Sequence, residues 1–375
     1  MRDDINRRRL LKYTAVAGAV GATGCLGPSD DGNGDGSPNF DEFLGGYASG
    51  DRPAPEGTSV EDMPALEGTL TVYSGRGRPL VGDLFDYFEA VYDDFTIDPV
   101  YGGSADLANQ IQVEGQNSPA DVFYTVNVGA LGALANEGRT VALPDDVLEL
   151  VRGEFRDPDG EWVGTSGRAR TIPYNTEEFT EDEIPDDIFA FPDDERFADS
   201  MGWAPTYGSF QDFVTAMRIL NGEDETRAWL EGMVENGAQE YPNEQVISNA
   251  VADGEIVAGF ANHYYIQRVL SGNPNTSLGT AFTDGDAGSL FNVAGATVMD
   301  TASDEELASN FVRHLLSAEA QEFFAVRTEE YPLTPGVDPL GELPPIDELN
   351  PPELDLTQLA DVQPTLQLMR DVGIL

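Results

Sequence analysis

Two tyrosines stand side by side, Tyr264 and Tyr265, in the stretch Ala261–Arg268, "ANHYYIQR", with His263 just before them. Phenolate is a hard, anionic oxygen donor, and a trivalent cation strips its proton well below the free pKa of about 10. Paired phenols therefore suit a hard metal ion. The plainer alternative is an aromatic pair packing a half-buried surface. Successive side chains diverge by about 100° on a helix and about 180° on a strand, so the phenols converge only where the backbone turns. The same geometry disfavours three ligands in a row, which sets His263 behind the tyrosines. His314, beside Leu315 on a helical stripe, reads as structural.

Other residues suit an anion. Gly208 and Ser209 open a helix, whose unpaired backbone N–H groups attract negative charge. Arg168 and Arg170 carry the fork that clamps carbonate, phosphate or a carboxylate. In an acid-rich chain they equally suit ordinary ion pairs. Arg76, after the first strand, has the same two readings, and Asn262 either bonds the anion or caps its loop. Enzyme chemistry has little support. There is no Ser-His-Asp order, Walker loop, His-rich zinc spacing or catalytic cysteine, although a carboxylate-based hydrolase carries no motif to look for.

The elements that must position these residues follow an α/β pattern. "TLTVYS" from Thr69 reads as a strand, Leu80–Phe95 as a helix, Thr96–Tyr101 as a strand, and "GGSADLANQIQVEG" as a loop and helix ended by Gly115. "PADVFYT" is a third strand and Gly129–Asn136 a third helix, which together predict a parallel sheet with crossover helices. "WVGTSGRARTIPYNT" reads as two extended segments broken at Gly167, and 184–200 as irregular. Helices are expected at 210–220, 224–235, 243–252, 304–317 and 318–327, strands at 256–260 and 291–299, and a last short helix near 361–370. Crossovers near 170–174 and 291–296 predict two lobes on a hinge. Ligands then sit outside the carboxyl ends of the strands, at the loops 73–78, 124–129, 205–210 and 262–265.

Charge and the N-terminus set the environment. Against 68 acidic residues stand 20 basic ones, a net of −48, and Lys12 is the only lysine. Such a chain repels nucleic acid and anionic membranes. Its scattered acids fit concentrated salt, where screening acts over about 3 Å at 1 M, and resemble haloarchaeal proteins. "NRRRLLKYTAVAGAVGATGCLG" places paired arginines before a short apolar run that is too short to span a bilayer. It resembles a twin-arginine export signal (residues 1–24), with "GATGC" as a lipobox and Cys25, the sole cysteine, as the lipidated residue. Residues 25–67, rich in Gly, Asp, Ser and Pro, are expected to form a disordered tether.

Seven pieces, in order from Leu70 to Leu333, carry a resemblance: "LTVYSGR", "SPADVFY", "WVGTSGRAR", "GWAPTYGSF", "NHYY", "GDAGSLFNVAGA" and "EYPL". Together they resemble the ferric iron-binding periplasmic proteins of ABC transporters. The resemblance implies a two-lobe Venus-flytrap fold of type II and no catalysis. Lobe 1 would span 68–170 and 292–335, lobe 2 171–291, and a Pro/Asp-rich tail 336–375. It also implies ferric iron bound by Tyr264 and Tyr265, with Tyr207 as a further phenolate in the manner of some relatives. Carbonate, phosphate or another small anion is the candidate to complete the site. Where relatives with four protein ligands place a histidine and a glutamate, this chain has Gly77 and Val126. Lobe closure is expected to bring Tyr207 onto the tyrosine pair. The implied partners are an ABC permease and ATPase, with the chain a monomer held to the membrane by its lipid alone. The alternative is a metal-free binder of an organic or phosphorus-containing anion.

Overall fold

The computed structural model describes residues 40–44 and 52–375. The export signal and Cys25 lie outside them. Strand β1 (Gly68–Ser74) runs through the helix Arg78–Val91 to β2 (Phe95–Tyr101), its parallel neighbour. The helix Ser104–Glu114 then leads to β3 (Val122–Thr125), parallel to β1 on its other side. Parallel strands need such crossovers, and Leu84, Phe85 and Phe88 on the first helix supply the apolar face. Next come the helix Gly129–Asn136, the short β4 (Thr140–Val141) and β5 (Val163–Asn175). The remaining strands are β6 (Met201–Trp203), β7 (Gln239–Glu240), β8 (Ala258–Gly259), β9 (Ala261–Asn262), β10 (Leu278–Ala281) and β11 (Phe291–Met299).

The strand order is β2-β1-β3-β11-β5-β8-β6-β7, with β4 on β11 and both β9 and β10 on β5. β5 is shared. Val163–Ala169 pair antiparallel with β11, whereas Arg170–Asn175 pair with β8, β9 and β10. One lobe is thus built on β1–β4 and β11, the other on β6–β10. The sheet is mixed rather than wholly parallel, because β11 returns antiparallel between β3 and β5.

Three expectations need correction. β5 runs straight through Gly167 instead of breaking there. The glycine answers to packing, since a Cβ at that position would lie 2.2 Å from the Phe291 ring. Its backbone also exchanges hydrogen bonds with Tyr331 at 2.7 and 2.9 Å. The expected strand 256–260 is reduced to β8. Finally, the described part of the expected tether is docked. Phe43 stacks on Tyr87 at 4.7 Å, Val60 and Leu66 are buried, and Arg52 grips the Glu322 carboxylate at 2.9 and 3.0 Å. A few apolar anchors in a polar segment carry no periodicity, yet each gains from burial.

The tail touches both lobes. Its turn Leu356–Ala360 rests on the helix Gly129–Asn136, where a Cβ at Gly132 would meet Thr357 at 2.7 Å. The helix Gln363–Val372 then buries Leu368 and Met369 beside the helix Gly208–Asn221. There the Thr365 hydroxyl bonds Thr215 at 2.9 Å and accepts from Arg218 at 3.0 Å.

Candidate metal centre

The tyrosine pair is placed by a turn. Phe260 plugs an aromatic cluster, its ring 5.4 Å from Trp229, 5.8 Å from Phe213 and 5.7 Å from Phe191. Truncating a ring so packed costs about 3–5 kcal/mol. From that anchor the chain forms β9 and at once enters the helix His263–Gly272. Tyr264 and Tyr265 occupy its first turn, with ring centroids 4.4 Å apart and planes inclined at 51°. Arg268 lies over both rings, at 5.0 and 5.3 Å, and is itself held by Glu329. Its cation faces the π clouds and braces the pair from the following turn.

Tyr207 comes from a different element. It is the residue before the helix Gly208–Asn221, in extended conformation, and its hydroxyl is hydrogen-bonded to that of Tyr265. Tyr207 and the pair are both carried by the lobe built on β6–β10. They already meet in this structure, so the expectation that lobe closure assembles them is corrected. Both elements spring from strands of one half-sheet, which fixes their spacing without a hinge. Asn262, just before the helix, turns its amide to the Tyr264 hydroxyl at 3.1 Å instead of capping the helix. Burial raises the pKa of Tyr264 and of Tyr265; for Tyr265 the neighbouring tyrosines push the same way, whereas Arg168 partly offsets the rise at Tyr264. Both phenols are therefore neutral near pH 7.

His263 is fully buried. The Ala169 N–H donates to its Nδ1 at 3.1 Å, and its ring lies 4.7 Å from Tyr331. Burial drives its pKa down to about 4. With no exposed surface, and its ring packed 5.6 Å from that of Tyr264, it reads as structure. His314 is likewise internal, between the Tyr92 hydroxyl at 2.8 Å and the Asn310 carbonyl at 2.7 Å.

The expected anion-binding arginines have separate fates. Arg76 has no exposure, and its two terminal nitrogens are bonded to Glu330 at 2.5 Å and Ser166 at 2.9 Å, while its Nε is buried without a partner. Burial alone would lift the Glu330 carboxyl, but Arg76 outweighs it and holds the pKa below the usual range. Arg170 is ion-paired with Glu244 and lies over the Phe213 ring at 4.9 Å. Arg168 donates to the Val126 carbonyl in the loop after β3, and its Nε is buried without a partner. Gly208 and Ser209 do open their helix, and the Ser209 hydroxyl is bonded to Glu244.

A small cavity joins Arg168, Arg170, Ser209 and Asn262, with Asp212, Leu290 and Asn292 completing its wall. Burial lifts the Asp212 carboxyl to a pKa of about 6 against the pull of both arginines. Asp212, Glu244 and Arg268 escaped the sequence reading. In a chain with 68 acidic residues no single carboxylate stands out. The one usable signal for Glu244 was its place directly after Asn243, a helix-capping type. Gly77 and Val126 supply no side-chain donor. Among the described residues there is no group of three His, Cys, Asp or Glu side chains placed to hold a metal.

Comparison with known proteins agrees with this architecture. A family model for bacterial extracellular solute-binding proteins matches residues 83–348. The major ferric iron-binding protein of Neisseria meningitidis is 31% identical over 319 residues, covering 83% of this chain and 94% of the relative. The crystal structure of iron-bound HitA from Pseudomonas aeruginosa superposes with a TM-score of 0.70 at 31% identity, over 81% of this chain and 99% of that one. A Trichodesmium protein in complex with iron and citrate superposes with a TM-score of 0.71 at 26% identity, over 82% and 100%. The chain belongs to the extracellular solute-binding protein family, in its ferric iron-binding branch.

Proposed function

We propose that this chain captures ferric ion through the phenolates of Tyr207, Tyr264 and Tyr265 and presents it to an ABC permease and its ATPase. One observation carries the reading: three phenols from two separate elements meet at one point, two of them in hydroxyl contact. Ferric ion is hard and trivalent, and three phenolates would neutralise it. The relatives' ferric iron supports the choice of ion. Closure then acts on the opposite lobe, which swings the loops 75–78 and 124–129 over the bound ion about the two hinge segments near 170–174 and 291–296, and the ion stabilises the closed form. Lobes of 68–170 with 292–335, and 171–291, go with this hinge. Binding without turnover, a monomeric state, twin-arginine export and a lipid on Cys25 complete the proposal, together with adaptation to strong salt.

Metal analysis of protein purified aerobically in molar salt tests it. The expected result is stoichiometric iron and a visible phenolate-to-iron absorption. Colourless, iron-free protein that also stays colourless when offered ferric nitrilotriacetate would contradict the reading.

A further inference from the structure

Glu244 is the first residue of the helix Glu244–Ala252, capped by Asn243, whose side chain accepts from the Val246 N–H at 3.1 Å. Its carboxylate has no exposure, yet it collects three donors. Arg170 and the Ser209 hydroxyl bond one oxygen, and the Asn262 backbone N–H donates to the other at 2.9 Å. These are groups that the sequence assigns to an exogenous anion: a guanidinium, the hydroxyl at a helix start, and Asn262, two residues before the tyrosine pair. The anion they hold is part of the chain.

We propose that Glu244 is a built-in counter-anion, which fills the oxyanion place beside the tyrosines so that ferric ion binds without carbonate, phosphate or citrate. The inference rests on the tyrosine reading above. Its link to the metal runs through two bonds. Glu244 fixes the Asn262 backbone, and the Asn262 amide orients the Tyr264 hydroxyl at 3.1 Å. A free oxyanion entering the same cradle would have to displace Glu244 from Arg170 or lie against it, like charge against like charge. The cavity that remains is about 20 Å³ in volume, roughly enough for a single water. Glu244 is thus a positioning residue, and its charge matters as well as its shape.

The test separates this inference from the one beneath it. Wild-type protein and Glu244→Gln are loaded with ferric nitrilotriacetate in molar sodium chloride and gel-filtered. Each is then equilibrated with carbonate, inorganic phosphate or citrate. The visible band is recorded, and labelled anion retained per iron, nitrilotriacetate included, is counted. Wild-type protein should keep its iron and its band position in every case and retain no anion. Glu244→Gln should hold iron about tenfold more weakly without anion and recover when one is added and retained. A wild-type band that moves with the anion, or anion retained with each iron, overturns the inference. So does a Glu244→Gln protein as indifferent to anions as its parent. Were the variant unfolded by near-ultraviolet circular dichroism, the wild-type measurements alone would still decide. A wild-type protein with no band under any condition overturns the tyrosine reading, and this inference with it.

Discussion

Iron uptake by this site must expel protons, and their number is fixed by which tyrosines bind. A phenol of ordinary pKa, about 10, costs about 4 kcal/mol to ionise at pH 7. Burial raises the pKa of both Tyr264 and Tyr265, so their true cost is larger. The tyrosine pair is therefore neutral when empty, and a ferric ion held by three phenolates displaces about three protons. The sign follows directly. Binding strengthens as pH rises and is lost on acidification, by up to about a thousandfold per pH unit once the chelator's own titration is subtracted. Tyr207→Phe removes one phenol and should release one proton fewer, with the slope reduced to about a hundredfold per unit. A pH-stat titration in unbuffered molar salt counts the protons, with a chelate blank. Equal proton release from the parent and Tyr207→Phe would refute a bound Tyr207. Fewer than two protons from the parent would refute the phenolate pair.

Other consequences follow from the same contacts. Glu330→Ala strands the fully buried Arg76 without its partner and should cost about 3–5 kcal/mol, read as a lower melting temperature in molar salt. With a net charge of −48, the domain should melt at lower temperature in dilute buffer than in molar salt, where screening contracts from about 10 Å to about 3 Å; a melting point indifferent to salt contradicts the adaptation proposed from composition. Cys25→Ser should release the exported protein into the medium, and a variant still held on the membrane after signal removal would rule out the lipid.

The α/β order was legible because crossover helices such as Arg78–Val91 carry a strong apolar stripe. β11 was equally clear, as a nine-residue run buried on both faces. What periodicity cannot show is packing between distant segments. Gly167 looked like a break in sequence, whereas its missing side chain makes room for Phe291, more than a hundred residues on. Phe43, stacked on Tyr87 and Phe323, and the buried Val60 dock as isolated anchors inside a polar stretch that has no pattern of its own. At the site, the adjacency of Tyr264 and Tyr265 was visible, but their convergence depends on the turn from β9 into a helix. The arginines were visible as cations; their engagement with Glu330 and Glu244 arises only when residues 254 and 74 positions apart are brought together.

The central claim is that the tyrosine pair holds ferric ion, and the double variant Tyr264→Phe, Tyr265→Phe measures it most directly. Competition against a ferric chelator of known strength, with the visible band followed in parallel, gives affinity and ligand identity together. The account predicts that the folded double variant is colourless and that iron binding falls below detection. A double variant that retains the band and binds ferric ion as tightly as its parent would contradict it.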